Sequence, residues 1–493
     1  MTERAHEPEP ESRGPAGPGP LRRRAALLAP ILFVGLLLVP LEGLSPEAHR
    51  LAAIFAAVIV LWVTEVVPIA VTALLIAPVM VMADVTDAKS AFAPYADPLL
   101  FLFVGGFMIA RAMMRHGLDR RIALAMVSMK GIGGRPARVR FAFMVTGMIL
   151  SMWISNTATT AILLPILIGL LKDDGEGQSR SATSGSLLAV AYAASLGGLG
   201  TPVGSPPNLI AMGFLEDHGI ELSFFDWVSV GFPTAVVLVG VTFVLFQWKH
   251  PPITMRLPAQ TGEGGAVART WTRGEVVTAI SFGIAVVGWM TPGLFHAADL
   301  PGADTIKKLL PGGGVAIIAA SLLYFVPDTG GKEPVLPWHD GIKIDWGLIM
   351  LFGGGISLGR QMFATGLAEA IARGFVSFTG VSDLWTLVVI VTFFTIFFTE
   401  TCSNTATSNM LSPLVIAIAV ELGVSPIPPV LAVGLAASCA FMLPVATGPN
   451  AIAYGTGRID QPTMIRAGFM LNILSAIIII VILRVLCPLY GWT

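Results

Sequence analysis

Long apolar segments separated by short polar ones run along almost the whole of this 493-residue chain. A helix that crosses a membrane needs about 20 mostly apolar residues. Eleven segments approach this length, and they cover residues 26–42, 50–67, 69–84, 97–115, 184–214, 226–248, 275–293, 311–327, 345–363, 427–455 and 466–488. Only 12% of the residues are charged, whereas soluble domains average about 25%. The sequence therefore predicts an all-α polytopic membrane protein with eleven transmembrane helices.

The pentapeptide Ser-Asn-Thr-Ala-Thr occurs twice, at residues 155–159 and 403–407, each time near the middle of a further apolar stretch. Unpaired polar groups are costly in hydrocarbon, so a polar island inside an apolar stretch needs a structural or functional reason. We expect the two stretches, residues 141–170 and 385–420, to form re-entrant helical hairpins. Each hairpin would enter and leave on one side of the membrane and carry its pentapeptide at the tip.

Three blocks of sequence recur in the same order, which indicates an internal repeat. A Gly-Gly segment that ends at Arg111 returns at Arg360, 249 residues later, and the pentapeptides lie 248 residues apart. The pair Pro207-Asn208 returns as Pro449-Asn450 after 242 residues. Each repeat holds five spans and one hairpin. Because five is odd, the second repeat is expected to be inverted, as in many secondary transporters with broken helices.

These patterns divide the chain into four parts. Residues 1–25 are rich in Pro, Gly, Glu and Arg and are expected to form a disordered cytoplasmic tail, and residues 26–47 hold the first transmembrane helix. Repeat 1 covers residues 48–250 and repeat 2 covers residues 270–490. With the N-terminus inside and the C-terminus outside, 23 of the 30 Lys and Arg residues fall in the inner segments 1–25, 111–140, 171–183, 249–275, 328–345 and 456–466. The positive-inside rule favours this topology.

The hairpin tips and two helix breaks are expected to build one site. Ser, Asn and Thr favour helix N-caps, so the returning half of each hairpin begins at its pentapeptide and points the positive end of its dipole inwards. Gly-Ser-Pro-Pro at 204–207 and Thr-Gly-Pro at 447–449 interrupt spans 184–214 and 427–455, because proline disrupts a helix interior. The restarting helices suit a carboxylate or similar anion. The alternatives are hydroxyls that bond back to helix carbonyls and proline kinks that serve packing alone.

The expected site is built of carbonyls, hydroxyls and amides, and neither pentapeptide contains Lys or Arg. Such oxygens suit a weakly bound monovalent cation, whereas a tight Ca²⁺ site gathers several carboxylates. A dianionic substrate would thus be balanced largely by bound cations, which is a physical reason for coupled transport. Glu65 and Glu400 lie in apolar context, where acids mark functional sites by default. Three roles are open for Glu400: it bears a proton, it shapes a sodium site, or it is only hydrogen-bonded between helices. Arg111 and Arg360 are expected to extend to the membrane interface.

Composition and motifs exclude several classes of protein. The net charge of −1 gives no sign of a nucleic-acid partner, and the three cysteines form neither a disulfide framework nor a metal-ligand pattern. No phosphate-binding loop of the Walker type is present, and no His or Asp lies near the serines of the apolar cores, so the sequence does not predict an ATP-driven pump or an enzyme. A channel remains as an alternative with broken helices, but two hairpins from opposite sides favour alternating access.

The sequence resembles the divalent anion/sodium symporter family of di- and tricarboxylate transporters over about residues 45–490. The resemblance is carried by the two Ser-Asn-Thr triplets, by Gly-Ser-Pro-Pro-Asn at 204–208, by Leu-Pro-Val-Ala-Thr-Gly-Pro-Asn at 443–450 and by Trp-Val-Thr-Glu-Val-Val-Pro at 62–68. It implies a homodimer with a scaffold domain and a mobile transport domain, elevator-type movement, Na⁺ coupling, and substrates such as succinate, fumarate and malate.

The resemblance also implies roles for individual residues. Substrate carboxylates would meet Asn156, Thr157, Ser205, Asn404, Thr405, Thr447 and Gly448. One sodium ion would lie among Ser151, Ser155, Asn156 and Gly204, and a second among Thr399, Cys402, Asn404 and Ala446. Ser151 and Thr399 each precede a pentapeptide by one helical turn, while Gly204, Cys402 and Ala446 would contribute backbone carbonyls.

The match departs from the family pattern at Gly448, where many relatives carry proline, and we expect glycine there to enlarge the pocket. Neither sodium site shows the basic side chain that replaces sodium ligands in the exchangers of the family, which favours symport. The sequence leaves a sodium-independent or proton-coupled dicarboxylate carrier open, as well as a carrier of citrate, α-ketoglutarate or sulfate. Compact loops favour a bacterial inner membrane, where the protein is surrounded by lipid.

Overall fold

The computed structural model of this chain describes residues 24–493 except residues 42, 128–134, 172–177 and 253–269. The predicted tail 1–25 therefore lies almost wholly outside the described residues. Within them every named element is a helix, and the prediction of an all-helical fold is confirmed. The helices of the first half are α1 Leu28–Leu38, α2 Pro46–Thr64, α3 Ile69–Met82, α4 Ala88–Phe92, α5 Pro98–His116, α6 Leu118–Val127, α7 Pro136–Ser151, α8 Asn156–Leu170, α9 Gln178–Gly197, α10 Pro206–Glu216 and α11 Phe224–Lys249.

The second half repeats this succession. Its helices are α12 Arg273–Ala297, α13 Ala303–Leu309, α14 Gly312–Phe325, α15 Trp338–Gly341, α16 Trp346–Ala364, α17 Leu367–Thr379, α18 Leu384–Thr399, α19 Asn404–Glu421, α20 Ile427–Ala437, α21 Gly448–Gly455 and α22 Gln461–Leu489. Every predicted span and both predicted hairpins coincide with one or two of these helices. The hairpins are α7 with α8 and α18 with α19, and the broken spans are α9 with α10 and α20 with α21.

Six helical segments of the described residues are long and apolar enough to cross a membrane on their own, and the number rises to eight if two bent pairs count as single spans. The bent pairs are α13 with α14, at 52°, and α17 with α18, at 98°. One of the six, Ser181–Gly200, belongs to the first broken span, whereas the other halves of the hairpins and broken spans do not pass this test on their own, and neither does the 11-residue α1. The count of eleven spans and the inside position of the N-terminus therefore stay predictions.

Two amphipathic helices were not predicted from the apolar segments. Helix α6 precedes the first hairpin and α17 precedes the second, so they occupy the same place in the two repeats. In α6, Leu118, Ala123, Leu124 and Val127 are buried, while Arg120 is exposed. This spacing is the 3.6-residue periodicity of a one-sided helix, which a search for continuous apolar segments misses.

The repeated Gly-Gly segment has the same structural role in both halves. A Cβ on Gly105 of α5 would lie 2.5 Å from the backbone of Ala316 in α14, and a Cβ on Gly354 of α16 would lie 2.6 Å from the backbone of Ala73 in α3. The two glycines are 249 residues apart, and α3 and α14 are likewise matching helices. Each repeat therefore packs its Gly-Gly helix against a helix of the other repeat, at a distance that only glycine permits.

Hydrogen bonds join the segments that the charge pattern assigned to the inner side. Arg115 pairs with Asp340, and the Arg121 guanidinium donates to the Glu275 carboxylate at 2.9 Å. The Ser181 Oγ and His250 Nδ1 atoms are 2.8 Å apart. These contacts link segments 111–140, 171–183, 249–275 and 328–345 at one end of the molecule, which we call the inner end. The opposite, outer end holds the ion pairs of Arg360 with Asp97 and Asp217 and of Lys307 with Glu221.

Candidate functional site

The two hairpin tips have the same geometry. In the first, α7 ends at Ser151 and α8 begins at Asn156, and the Ser151 hydroxyl donates to Oδ1 of Asn156 at 2.5 Å. In the second, the Thr399 hydroxyl donates to Oδ1 of Asn404 at 2.8 Å. The residues that precede the returning helices, Ser155 and Ser403, have N-cap positions, with φ near −53° and ψ near 135°. Neither serine caps its helix with its side chain, so the first N–H groups of α8 and α19 stay available to a ligand.

In each broken span an asparagine side chain is hydrogen-bonded to the non-helical backbone of the break. Between α9 and α10, the Asn208 amide Nδ2 donates to the carbonyls of Gly198, at 2.8 Å, and Thr201, at 2.7 Å. Between α20 and α21, Asn450 Nδ2 donates to the carbonyls of Ala440 and Leu443, both at 3.0 Å. Donor and acceptors are related by the same offset of 242 residues. The repeated Pro-Asn pair is thus explained, because the proline lies in the first turn of the restarting helix and the asparagine binds the non-helical backbone before it.

Each hairpin tip is hydrogen-bonded to one of these helix breaks. The Thr201 hydroxyl donates to the Met152 carbonyl at the first tip. The Thr399 hydroxyl shares its single proton between Asn404 Oδ1 and the Ala437 carbonyl beside the second break, which is also 2.8 Å away. The two breaks also meet each other, since the hydroxyls of Ser205 and Ser438 are 2.7 Å apart. The four elements therefore form one connected polar unit at the centre of the helix assembly.

A cavity of about 740 Å³ lies against this unit. It is lined by all seven residues for which the sequence predicted contact with substrate: Asn156, Thr157, Ser205, Asn404, Thr405, Thr447 and Gly448. Of the predicted sodium ligands, the cavity is also lined by Ser155, Gly204, Cys402 and Ala446. Ser151 and Thr399 do not line it, and they reach it only through Asn156 and Asn404. The structure thus brings to one cavity residues that are up to 293 positions apart in the chain, Ser155 and Gly448.

Gly448 does not enlarge this cavity in the way expected from the sequence. A Cβ at this position would overlap the Thr157 side chain, so the space that a larger residue would occupy is taken by the first hairpin tip. Glycine here permits close approach of α21 and the tip, and the two predicted substrate residues touch each other.

The Glu400 carboxylate is buried behind the second tip, with 4% of the residue exposed. It accepts hydrogen bonds from the backbone N–H groups of Phe441, at 2.7 Å, Met442, at 2.8 Å, and Leu443, at 3.2 Å. It also accepts one from Nδ2 of Asn472, at 2.8 Å. All four partners are donors, so the carboxylate serves as an acceptor that ties the second break to its hairpin. Of the roles left open by the sequence, the hydrogen-bonded structural one fits this geometry.

The cavity extends from the hairpin tips to the inner end. Its mouth is lined by Arg111 and Met114 of α5 and by Lys343, Ile344 and Asp345. Towards the outer end, Phe214 of α10 packs against Gly359 of α16, and Arg360 binds Asp217 through two hydrogen bonds, at 2.9 and 2.5 Å. The lining of the cavity therefore extends to the inner end, whereas none of the residues in the outer-end ion pairs lines it.

The ligands around the cavity suit an alkali cation better than a transition metal. No group of three or more His, Cys, Asp or Glu residues that could hold a metal ion occurs in the described parts of the chain. Apart from the carboxylates of Glu65 and Glu400 and the thiol of Cys402, the groups that line the cavity near the tips offer hydroxyl, amide and carbonyl oxygens, the ligands of hard cations.

Sequence comparison places this geometry in a known family. Residues 21–492 match the profile of the sodium:sulfate symporter transmembrane region. The chain is 33% identical over 482 residues to the sodium-dependent dicarboxylate transporter SdcS of Staphylococcus saprophyticus. The protein of the same name from Staphylococcus aureus strain USA300 has the same identity over the same length. Both alignments cover 94% of this chain and 91% of the relative.

Two solved structures share the fold at low sequence identity. The YdaH transporter of Alcanivorax borkumensis is 12% identical, with a TM-score of 0.53 over 96% of this chain and 98% of that chain. MtrF of Neisseria gonorrhoeae, described with a class of antimetabolite efflux pumps, is 13% identical, with a TM-score of 0.54 over 96% of this chain and 95% of that chain. At these identities the likeness concerns the fold alone.

Proposed function

The chain belongs to the sodium:sulfate symporter family of membrane transporters, and on this basis we propose that it is a sodium-coupled symporter of C4-dicarboxylates such as succinate, fumarate and malate. It is a multi-pass protein of the plasma membrane and a carrier, not an enzyme. The observation that carries the proposal is the convergence of two hairpin tips and two helix breaks on one cavity.

In the proposed complex the substrate lies between the tips, and each carboxylate meets one repeat. One carboxylate binds at the N-terminus of α8 with Asn156, Thr157 and Ser205, and the other binds at the N-terminus of α19 with the remaining four residues of the set, Asn404, Thr405, Thr447 and Gly448. Helix N-termini favour anions because their first N–H groups are unpaired and the dipole is positive there. The absence of side-chain caps at Ser155 and Ser403 supports this assignment.

Two sodium ions complete the proposed site. The first is assigned to Ser151, Ser155, Asn156 and Gly204, and the second to Thr399, Cys402, Asn404 and Ala446. The hydroxyls of Ser151 and Thr399 already orient the two asparagines, so a cation at either position links a tip to its break. Because each tip supplies ligands to both the cation and the substrate, neither binds at full strength without the other.

The transport cycle that we propose is alternating access of the elevator type, in a homodimer. Sodium ions order the tips, the substrate fills the gap, and the loaded hairpins and broken helices cross as a unit. A cavity whose lining extends to the inner end supports this, as do the contacts of Arg360 with Asp217 and of Phe214 with Gly359 towards the outer end.

The proposal is tested by uptake of radiolabelled succinate into proteoliposomes with an inward Na⁺ gradient or a K⁺ gradient. We compare wild type with Asn404→Ala and with Asn409→Ala, a matched control. Asn409 is a buried asparagine on the same helix, 2% exposed, and it does not line the cavity. We expect uptake that needs Na⁺ in wild type and in the control and that is lost in Asn404→Ala. Equal uptake in both salts would refute sodium coupling and favour the sodium-independent carrier.

The substrate class is tested in the same vesicles. Unlabelled fumarate and malate are expected to compete with succinate, while citrate, α-ketoglutarate and sulfate compete weakly. Strong competition by one of these three anions, with none by fumarate, would assign the site to another divalent anion.

A further inference from the structure

One face of α5 forms a wall of the cavity from its centre to its mouth. The lining residues of this helix are Phe103, Gly106, Phe107, Ala110, Arg111 and Met114. Their spacing of three and four residues is that of a single helix face. Arg111 is therefore directed along the cavity wall, in contrast to the extension to the membrane interface expected from the sequence.

The position of Arg111 along this wall is set by helix geometry. A Cβ on Gly106 would lie 3.6 Å from Val203, so Gly106 is level with the first helix break. Arg111 follows five residues later, which corresponds to roughly 7.5 Å along the axis at about 1.5 Å per residue. Arg111 thus lies on the mouth side of the proposed substrate position, between the first helix break and the inner end.

Arg111 has no partner in the part of the chain that the structure describes: it takes part in no hydrogen bond, ion pair or ring contact there. Its counterpart in the second repeat, Arg360, makes two hydrogen bonds to Asp217 and one to Asp97. The two matching arginines therefore differ in their partners. Arg360 is paired with carboxylates of the protein at the outer end, and Arg111 lines the cavity without a carboxylate partner among the described residues.

The other charges of the cavity wall do not substitute for Arg111. The Lys343 ammonium donates to the Asp340 carboxylate at 2.9 Å. Glu65, Asp345 and Glu400 also line the cavity, and their charges oppose the entry of an anion. Half-buried cations are commonly paired, so the lack of a partner for Arg111 points to an anion that is not part of the protein.

We propose that Arg111 binds one carboxylate of the dicarboxylate at the mouth side of the cavity, as a docking position between the hairpin site and the inner solution. This inference rests on the proposed function and adds a substrate contact on α5, outside the hairpins and broken helices. A guanidinium binds a carboxylate through paired N–H groups. In this docked state one carboxylate lies at the N-terminus of α8 or α19 and the other lies at Arg111, and the dianion then moves inwards until each carboxylate meets one hairpin tip. The measured affinity counts both bound states, so it falls when the docked state is lost.

The test is equilibrium binding of succinate and of succinamate to the detergent-purified protein in saturating Na⁺. In succinamate one carboxylate is replaced by a neutral amide, so when its remaining carboxylate binds at a hairpin tip no second carboxylate is left for Arg111. For Arg111→Gln we expect about fivefold weaker binding of succinate, the effect of a partly hydrated charge pair. Binding of succinamate is expected to change little. Arg111→Lys keeps the charge but lacks the paired N–H groups, so it is expected to retain only part of the succinate affinity.

Arg120→Gln is the matched control, because Arg120 is an exposed arginine of α6 at the same end of the protein that does not line the cavity. It is expected to bind both ligands as wild type does. Added choline chloride is expected to weaken succinate binding more in wild type than in Arg111→Gln. Salt screens the attraction between Arg111 and the carboxylate, which only wild type has.

The outcomes separate the two proposals. If wild type binds succinate only with Na⁺ but Arg111→Gln shows the same affinity and the same preference over succinamate, the docking role of Arg111 is overturned. Equal loss for both ligands together with a lower melting temperature would assign Arg111 a structural role and also overturn it. Failure of wild type to bind succinate in Na⁺ would refute the proposed function itself.

Discussion

The asparagines that tie the two helix breaks give the most quantitative prediction. Asn208 and Asn450 are both fully buried, and neither lines the cavity. Each amide donates to two carbonyls of the unwound backbone, at 2.7–3.0 Å. Substitution by alanine therefore removes two hydrogen bonds from a break without touching the substrate. We predict that Asn208→Ala and Asn450→Ala impair sodium and substrate binding through the shape of the breaks.

The magnitude follows from the bonds that are lost. A neutral hydrogen bond contributes about 0.5–1.5 kcal/mol net, so two of them contribute about 1–3 kcal/mol. A control must also account for the space left by the side chain. Asn409→Ala is this control, because Asn409 is equally large and buried. Its amide donates only to the Thr405 carbonyl, which lies within α19 and also accepts a backbone hydrogen bond of that helix.

The assay is the sodium concentration that half-saturates succinate binding, measured with the melting temperature of the purified protein. We expect both break variants to lose about 1–2 kcal/mol more than the control, which is roughly five- to thirtyfold in an equilibrium constant. Sodium, which would bind at the break, is expected to raise the melting temperature of wild type more than that of the variants. Break variants that behave as Asn409→Ala does would refute the reasoning, because the ties would then contribute nothing beyond filling space.

Three further predictions concern the tips. Gly448→Ala forces a methyl group against Thr157 and is expected to cost about 1–3 kcal/mol in succinate binding; unchanged binding would mean that the tip moves freely. Glu400→Gln is expected to lower the melting temperature by weakening the tie to the break, while the pH profile of succinate uptake keeps its wild-type shape; a changed profile would make Glu400 a proton site. Ser151→Ala and Thr399→Ala are expected to raise the sodium concentration for half-maximal uptake severalfold with little change at saturating Na⁺; a loss that saturating Na⁺ does not relieve would contradict the sodium assignment.

Much of the architecture could be predicted from the sequence because hydrocarbon imposes simple rules on a chain. Apolar length predicted where helices lie, and the duplicated pentapeptides predicted the tips, where α8 and α19 begin at Asn156 and Asn404. Proline chemistry predicted that α10 restarts at Pro206. These features are local, so a single sequence contains the information for them.

The features that sequence reasoning missed depend on contacts between distant segments. The repeated Asn of the Pro-Asn pair was noticed, but its partners are carbonyls seven and ten residues away that only an unwound strand exposes. The space beside Gly448 was misjudged because Thr157, 291 positions earlier, fills it. The contrast between Arg111 and Arg360 likewise follows from Asp97 and Asp217, which no spacing rule connects to either arginine.

The central claim is that sodium and dicarboxylate cross together through the hairpin site. The most direct measurement is the uptake of sodium that a succinate gradient drives. Proteoliposomes receive an inward succinate gradient with equal Na⁺ on both sides, and uptake of radiolabelled sodium is followed. We predict that succinate drives sodium accumulation in wild type and in Asn409→Ala, and that Asn404→Ala shows none. Succinate entry without sodium movement would contradict the account, since the cation would then not travel with the substrate.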